Sequence, residues 1–297
     1  MKHVPGILAC LLFVCSSGCE TGSIKTPYVN VTPGWIENVA VEPSAGALEN
    51  PASIRIYIPK SCTTGEKIRT LLLLSGNRTD ARDWPANTDI VQQAEINTFV
   101  LVFVTLKDSI YETRYYPETT LRWGAAPGGK WICETLIPYL RKTYALACDR
   151  SSVGVLGIST GARGALLIAA TYPQIFGAAA GISGYYDNLS LTESKLLTPH
   201  YGRYDDFKER WEKNDNVIEL AAKCDSTPIF LAHAIRDTEI PVEQSRLMSI
   251  RLRQLQKKKP GSYVFEYHES EYYYAHTWRY WKTLTPLIMK FFNNHLK

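Results

Sequence analysis

The sequence predicts one α/β domain: a mostly parallel sheet with helices on both faces. Two features carry that expectation. Short runs rich in β-branched residues alternate with longer stretches of helical periodicity, the pattern of βαβ units. Two of the runs, Leu71-Leu72-Leu73-Leu74 and Val100–Val104, are apolar throughout, as suits strands covered on both faces. Composition agrees. With 297 residues, 45% hydrophobic and 21% charged, the chain can bury a sizeable core and is no disordered polymer. Its 33 basic and 29 acidic residues balance too closely to argue for nucleic acid as a partner.

At the N-terminus, Lys2 is the only formally charged side chain before Glu20. An apolar run, Ile7–Cys15, follows it and leads into Ser16-Ser17-Gly18-Cys19. This arrangement predicts a secretory signal peptide over residues 1–19, since nine apolar residues cannot span a bilayer core of ~30 Å. Ser17-Gly18-Cys19 is similar to the lipobox of bacterial lipoproteins, although Ser16 stands where an aliphatic residue is usual. Cys19 is therefore the candidate lipidation site, and its acyl chain would attach the protein to a membrane. Ordinary cleavage nearby and free secretion is the alternative. Residues 20–33 read as a flexible linker and 34–297 as the folded domain. Either route makes the protein exported, periplasmic or extracellular. Cys62, Cys133, Cys148 and Cys224 then form two disulfides, in one of three pairings, or stay as free thiols. They include no C-x-x-C and have no accompanying His cluster, so no metal site is expected.

Along the domain, strands are expected at Ser53–Ile58, Thr70–Ser75 and Phe99–Thr105. Helix Gly129–Tyr144, strand Ser152–Ile158, helix Gly161–Tyr172 and strand Ala178–Ser183 follow. Residues Tyr185–Lys223, polar, aromatic and helix-leaning, read as an insertion over one end of the sheet. Strand Pro228–His233, helix Val242–Lys257 (opened by Pro241), strand Tyr263–His268 and helix Trp278–Asn294 complete the order.

Gly157-Ile158-Ser159-Thr160-Gly161 is a G-x-S-x-G placed between a strand pattern and a helix pattern. That context suits a sharp turn that lifts a serine hydroxyl to the C-terminal edge of a sheet, beside a helix N-terminus. A serine needs a base to take its proton, and the base needs an acid to fix its tautomer. On such a fold they follow in the order Ser, Asp or Glu, His. His233 comes too early for that order, and His295 lies in the tail. His268 and His276 remain, and His276 is preferred because it stands between the last strand and the last helix. For the acid, Asp237 lies in the loop after strand Pro228–His233, with Glu239 in reserve.

Several stretches together resemble a known family. They are Leu136-Ile137-Pro138-Tyr139-Leu140, Ser159–Ala165, Pro173-Gln174-Ile175-Phe176 with Ser183-Gly184, Asp237–Val242, and His276–Trp281. In order and spacing they are similar to the esterase D-like serine esterases. This α/β-hydrolase group includes S-formylglutathione hydrolases, feruloyl and other carbohydrate esterases, and mycolyltransferases. The resemblance implies Ser159 as nucleophile, Asp237 as acid and His276 as base. It also implies an oxyanion hole made by the backbone N–H groups of Asn77 and Thr160, and no cofactor. Ser75-Gly76-Asn77 departs from the usual His-Gly or Asp-Gly, Thr160 from a commoner Met, and Ala162 from a Gly.

The expected function is that of an exported serine carboxylic-ester hydrolase acting on a small-molecule or polysaccharide-linked ester. Trp84, Tyr274 and Trp278 flank the catalytic loops and are expected to bind the flat faces of a sugar or an aryl acyl group; packing of the last helix is their other reading. An acyltransferase to a sugar acceptor and a non-catalytic binding protein on the same fold are the alternatives.

Overall fold

A computed structural model describes residues 32–41, 52–62, 68–106, 109–119, 127–271 and 275–297. The signal segment, Cys19, nearly all of the linker and Tyr274 lie outside the described residues. The apolar runs form the middle of an eight-stranded sheet: β1 (Gly34–Ala40), β2 (Ser53–Ile58), β3 (Arg69–Leu74), β4 (Phe99–Thr105), β5 (Val153–Ile158), β6 (Ala178–Ile182), β7 (Ile229–Ala234) and β8 (Phe265–Ser270). Its order is β1-β2-β4-β3-β5-β6-β7-β8. From β4 to β8 all pairs are parallel, while β1 and β2 run antiparallel at one edge. The predicted mostly parallel α/β architecture is what the chain forms.

Alternate residues of the central strands enter two cores. Leu72, Leu74, Val100, Val102, Val153 and Val155 face one side, and Leu71, Leu73, Phe99, Leu101, Leu156 and Ile158 the other. The helices α1 (Asp83–Asn87) and α2 (Ile90–Asn97) were not expected from the sequence; they cover the second face with the last helix. The predicted helix from Gly129 is α3 (Gly128–Trp131), which passes through a π-helical stretch (Ile132–Leu136) into α4 (Ile137–Tyr144). Pro138, near the start of α4, has no N–H to donate four residues back, and the ladder shifts its register there. Helix α5 (Thr160–Thr171) follows β5. The edge strand β1 was missed as well. Ile36 and Val39 lean on the core and Trp35 rests on Tyr57 and Phe103, but every residue of β1 is at most half-buried, and polar Glu37 and Asn38 interrupt any apolar run.

The insertion folds as short helices: α6 (Thr198–Tyr201), α7 (Lys208–Lys213) and α8 (Val217–Leu220). It has its own small core of Ile110, Tyr185, Leu197, Tyr201 and Trp211. Beyond it lie α9 (Glu243–Lys258) and α10 (Trp278–His295). Cys62, Cys133, Cys148 and Cys224 are free thiols. Burial pushes the Cys224 thiol up to about 12. Among the described residues, no helix is long and apolar enough to cross a membrane.

Arg163, on α5 and fully buried, ties this insertion to the main domain. Its guanidinium donates to the carbonyl oxygens of Ile110 (2.6 Å) and Asp215 (2.8 Å) and to the Tyr201 hydroxyl (2.5 Å). The Asp215 carboxylate accepts the Thr113 N–H at 2.8 Å and the Thr113 hydroxyl. Burial raises the Asp215 pKa, and the Arg163 charge opposes that rise. Replacing Arg163 with Leu strands three acceptors and removes this counter-charge. Arg163→Leu should therefore cost ~3–5 kcal/mol in urea-induced unfolding; a loss below ~1 kcal/mol would show that the link is not structural.

Candidate active site

Ser159 sits where β5 turns into α5, with φ 52° and ψ −122°. A side chain at that backbone conformation costs ~1–3 kcal/mol, so the surroundings must enforce it. The Ser159 N–H donates to Ile182 O on β6 (2.9 Å), and its carbonyl accepts from Ala162 N (3.0 Å). The motif glycines are required by close approach. A Cβ on Gly157 would lie 2.0 Å from the Gly161 carbonyl oxygen, and one on Gly161 would lie 2.3 Å from that of Leu74.

His276 reaches this serine from the loop before α10. Its Nε2 is 3.0 Å from Ser159 Oγ, and its Nδ1 is 2.8 Å from Asp237 Oδ2. Asp237 lies in the loop after β7, and its other oxygen accepts the N–H groups of Glu239 and Ile240, each at 2.9 Å. The side chain of Asp237 is fully buried and that of His276 is 15% exposed. Because its partner Oδ2 can only accept, His276 Nδ1 carries a proton and Nε2 is free to accept one from Ser159. Trp281 packs edge-on against the His276 ring at 5.2 Å, and its indole N–H donates to Ser183 Oγ at 3.2 Å. The His276 ring is thus held both by Asp237 and by an anchored indole.

The structure brings Ser159, Asp237 and His276 together, while His268 pairs with Glu266 at 3.4 Å and stacks on Phe230. Asn77 and Thr160 both line the cavity in front of Ser159. Gly76 lies against Ser159, for a Cβ there would be 3.2 Å from Ser159 Cβ. Thr160 opens α5, whose N-terminal partial charge favours a negative oxygen.

The cavity is about 740 Å³. Trp278 lines it, as do Trp281, Tyr185, Leu191, Leu196 and Ile240. Trp84 does not. At 1% exposure it is buried in the core, where its ring meets Trp278 edge-on at 5.3 Å. Helix α1 turns Trp84 inward, so it backs the cavity wall and is not a surface for substrate. Leu191 and Leu196 come from the insertion, and nothing in their local sequence marks them as wall residues.

Chain order sets His233 aside, yet it reaches Asp237. Its Nε2 is 3.3 Å from Asp237 Oδ2 and 3.0 Å from Ile240 O. Among the described residues, no group of three or more His, Cys, Asp or Glu side chains is arranged to hold a metal.

Burial acts to raise the Asp237 pKa, but hydrogen bonds from His233, His276 and the Ile240 N–H outweigh it and hold the carboxyl well below the usual range. A depressed folded-state pKa means that the stability Asp237 contributes is present above its unfolded value of ~3.9 and lost as the pH falls through the folded one. The unfolding free energy of wild type relative to Asp237→Asn should therefore shrink on acidification below about pH 4, as followed by urea titration. A gap that stays constant down to pH 2.5 would contradict this.

The family model described as "Putative esterase" matches residues 45–291. No curated protein matches the sequence. Among solved structures, an S-formylglutathione hydrolase from Agrobacterium tumefaciens is 14% identical with a TM-score of 0.66, over 86% of this chain and 93% of that one. A ferulic acid esterase is 15% identical with a TM-score of 0.66, over 89% and 99%. A fluorophosphonate-binding serine hydrolase of Staphylococcus aureus is 17% identical with a TM-score of 0.64, over 89% and 100%. Identities this low speak for the shared fold. The family match spans most of the chain, which therefore belongs to the esterase family: it is a serine ester hydrolase of the α/β-hydrolase fold.

Proposed function

We propose that the protein is an exported serine carboxylic-ester hydrolase that works through Ser159, His276 and Asp237 and a covalent acyl-enzyme, on acyl esters carried by carbohydrates. The observation that carries this reading is the unbroken line Ser159 Oγ–His276–Asp237, with steps of 3.0 and 2.8 Å, at the wall of an open cavity. His276 Nε2 takes the Ser159 proton as Oγ adds to the ester carbonyl. Asp237 stabilises the imidazolium that results. The tetrahedral oxyanion is held by the N–H groups of Asn77 and Thr160, whose removal singly would cost ~10²–10³ in turnover. His276 next protonates the leaving alcohol. It then draws a proton from water, which attacks the acyl-enzyme, and returns that proton to Ser159 Oγ as the Oγ–acyl bond breaks and the acid leaves.

For the substrate, the support is the wall of Trp278, Trp281 and Tyr185, which offers flat apolar faces to a sugar ring or an aryl acyl group. The fold shared with a ferulic acid esterase is consistent with it. The apolar run before Ser16 and the sequence Ser17-Gly18-Cys19 support export with attachment at Cys19.

A fluorophosphonate probe should label wild type and leave Ser159→Ala unlabelled, with ester hydrolysis down at least ~10³-fold in the variant. Equal labelling of both would remove Ser159 from the mechanism. Across acetyl, feruloyl and longer acyl esters, sugar-linked substrates should show the higher kcat/KM, and Trp278→Ala should erase that preference; a preference that survives would remove Trp278 from the substrate site. Lipid attachment predicts incorporation of labelled fatty acid that Cys19→Ala abolishes, and incorporation that persists would exclude Cys19.

A further inference from the structure

We infer that His233 is a positioning residue for the reaction: its Nε2–H braces both the Asp237 carboxylate and the loop that presents it. This rests on the reading of Ser159, His276 and Asp237 given above. His233 is entirely buried at the C-terminal end of β7. Both groups facing its Nε2 are acceptors, Ile240 O at 3.0 Å and Asp237 Oδ2 at 3.3 Å, so Nε2 must carry a proton. On the other side, Nδ1 lies 2.8 Å from the buried Ser245 Oγ on α9, which donates to it in the neutral ring. Ile240 is held twice, since its N–H donates to Asp237 Oδ1 while its carbonyl accepts from His233. One imidazole thus joins the end of β7, the acid loop and the start of α9.

The placement matters because Asp237 Oδ2 must face His276. Two N–H groups on Oδ1 and two imidazoles at Oδ2 leave the carboxylate little freedom to rotate. Glu239, two residues from Asp237, lines the cavity. Glu269 lies opposite His233 in the β7–β8 register and is held by Arg246 and Tyr267. Tyr280 on α10 faces Asp237, and burial and that carboxylate's charge push its phenol up.

The test compares His233→Leu, which keeps apolar bulk but has no donor, with His233→Gln, which retains an N–H. Ser159→Ala serves as the inactive reference. His233→Leu should lose ~10–100-fold in kcat, the worth of a hydrogen bond to a charged group, at unchanged KM. Its kcat/KM acid limb should move to higher pH, because a carboxylate deprived of one donor binds the imidazolium proton more tightly. His233→Gln should recover to within ~5-fold of wild type. Full turnover in His233→Leu with an unmoved acid limb would overturn the inference, as would a Gln variant as impaired as the Leu one. Imidazole nitrogen NMR of the wild type needs no variant to fold: it should show His233 protonated at Nε2 and accepting at Nδ1, and an Nδ1–H tautomer would be fatal. Hydrolysis that survives Ser159→Ala would instead defeat the underlying mechanism, leaving the His233 tautomer as a separate observable.

Discussion

Ser159 has a backbone conformation that a side chain does not choose, and much of the surrounding packing serves to hold it there. The constraint acts from three directions. Ile182 on β6 captures the Ser159 N–H, the first turn of α5 captures its carbonyl, and Gly157, Gly161 and Leu74 O meet at separations that leave no room for a Cβ. These contacts need β3, β5 and β6 to lie side by side in parallel register, which they do. The strain of ~1–3 kcal/mol is small beside the burial of the central strands, so the sheet can sustain it. In return, Oγ stands clear of the sheet edge, within hydrogen-bonding distance of a base delivered by a distant loop.

The acid presents the complementary problem. A carboxylate with no solvent exposure would take up a proton unless its charge were met by donors. Asp237 meets that demand with two backbone N–H groups and two imidazoles, and burial is outweighed. Those donors also orient it. Position and charge state therefore have one cause, and any change at His233 or in the Asp237–Ile240 turn acts on both.

How much of this was legible in the sequence depends on whether one segment or several determine the feature. Strands covered on both faces must be apolar at every residue, and β4 is legible to the residue; β2 is too, though only its isoleucines are buried. The G-x-S-x-G glycines answer to a local turn, and His276 and Asp237 follow from chain order. Features set by tertiary packing were not legible. The edge strand β1 has no fully buried residue, so its sequence carries no apolar run. Trp84 follows the Ser75–Asn77 loop closely in sequence, but α1 sends it into the core. Chain order sets His233 aside because it precedes Asp237, and only its place at the end of β7 shows that two imidazoles converge on Asp237.

The shape of the cavity depends on a link that lies away from Ser159, His276 and Asp237. Leu191 and Leu196 wall the cavity, and both belong to an insertion with a small core of its own. Such a core has too little apolar area to fix its position against the sheet by burial alone. Arg163 supplies the fixed point, one turn beyond Ser159 on the same helix, with bonds to Ile110, Tyr201 and Asp215. An arginine suits this place because its planar fork can satisfy three acceptors on different segments at once, where a lysine would offer a point charge. The same helix that sets Ser159 therefore sets the insertion. Leu191 and Leu196 are thereby held in register with Ser159 Oγ, because both walls of the cavity refer back to α5.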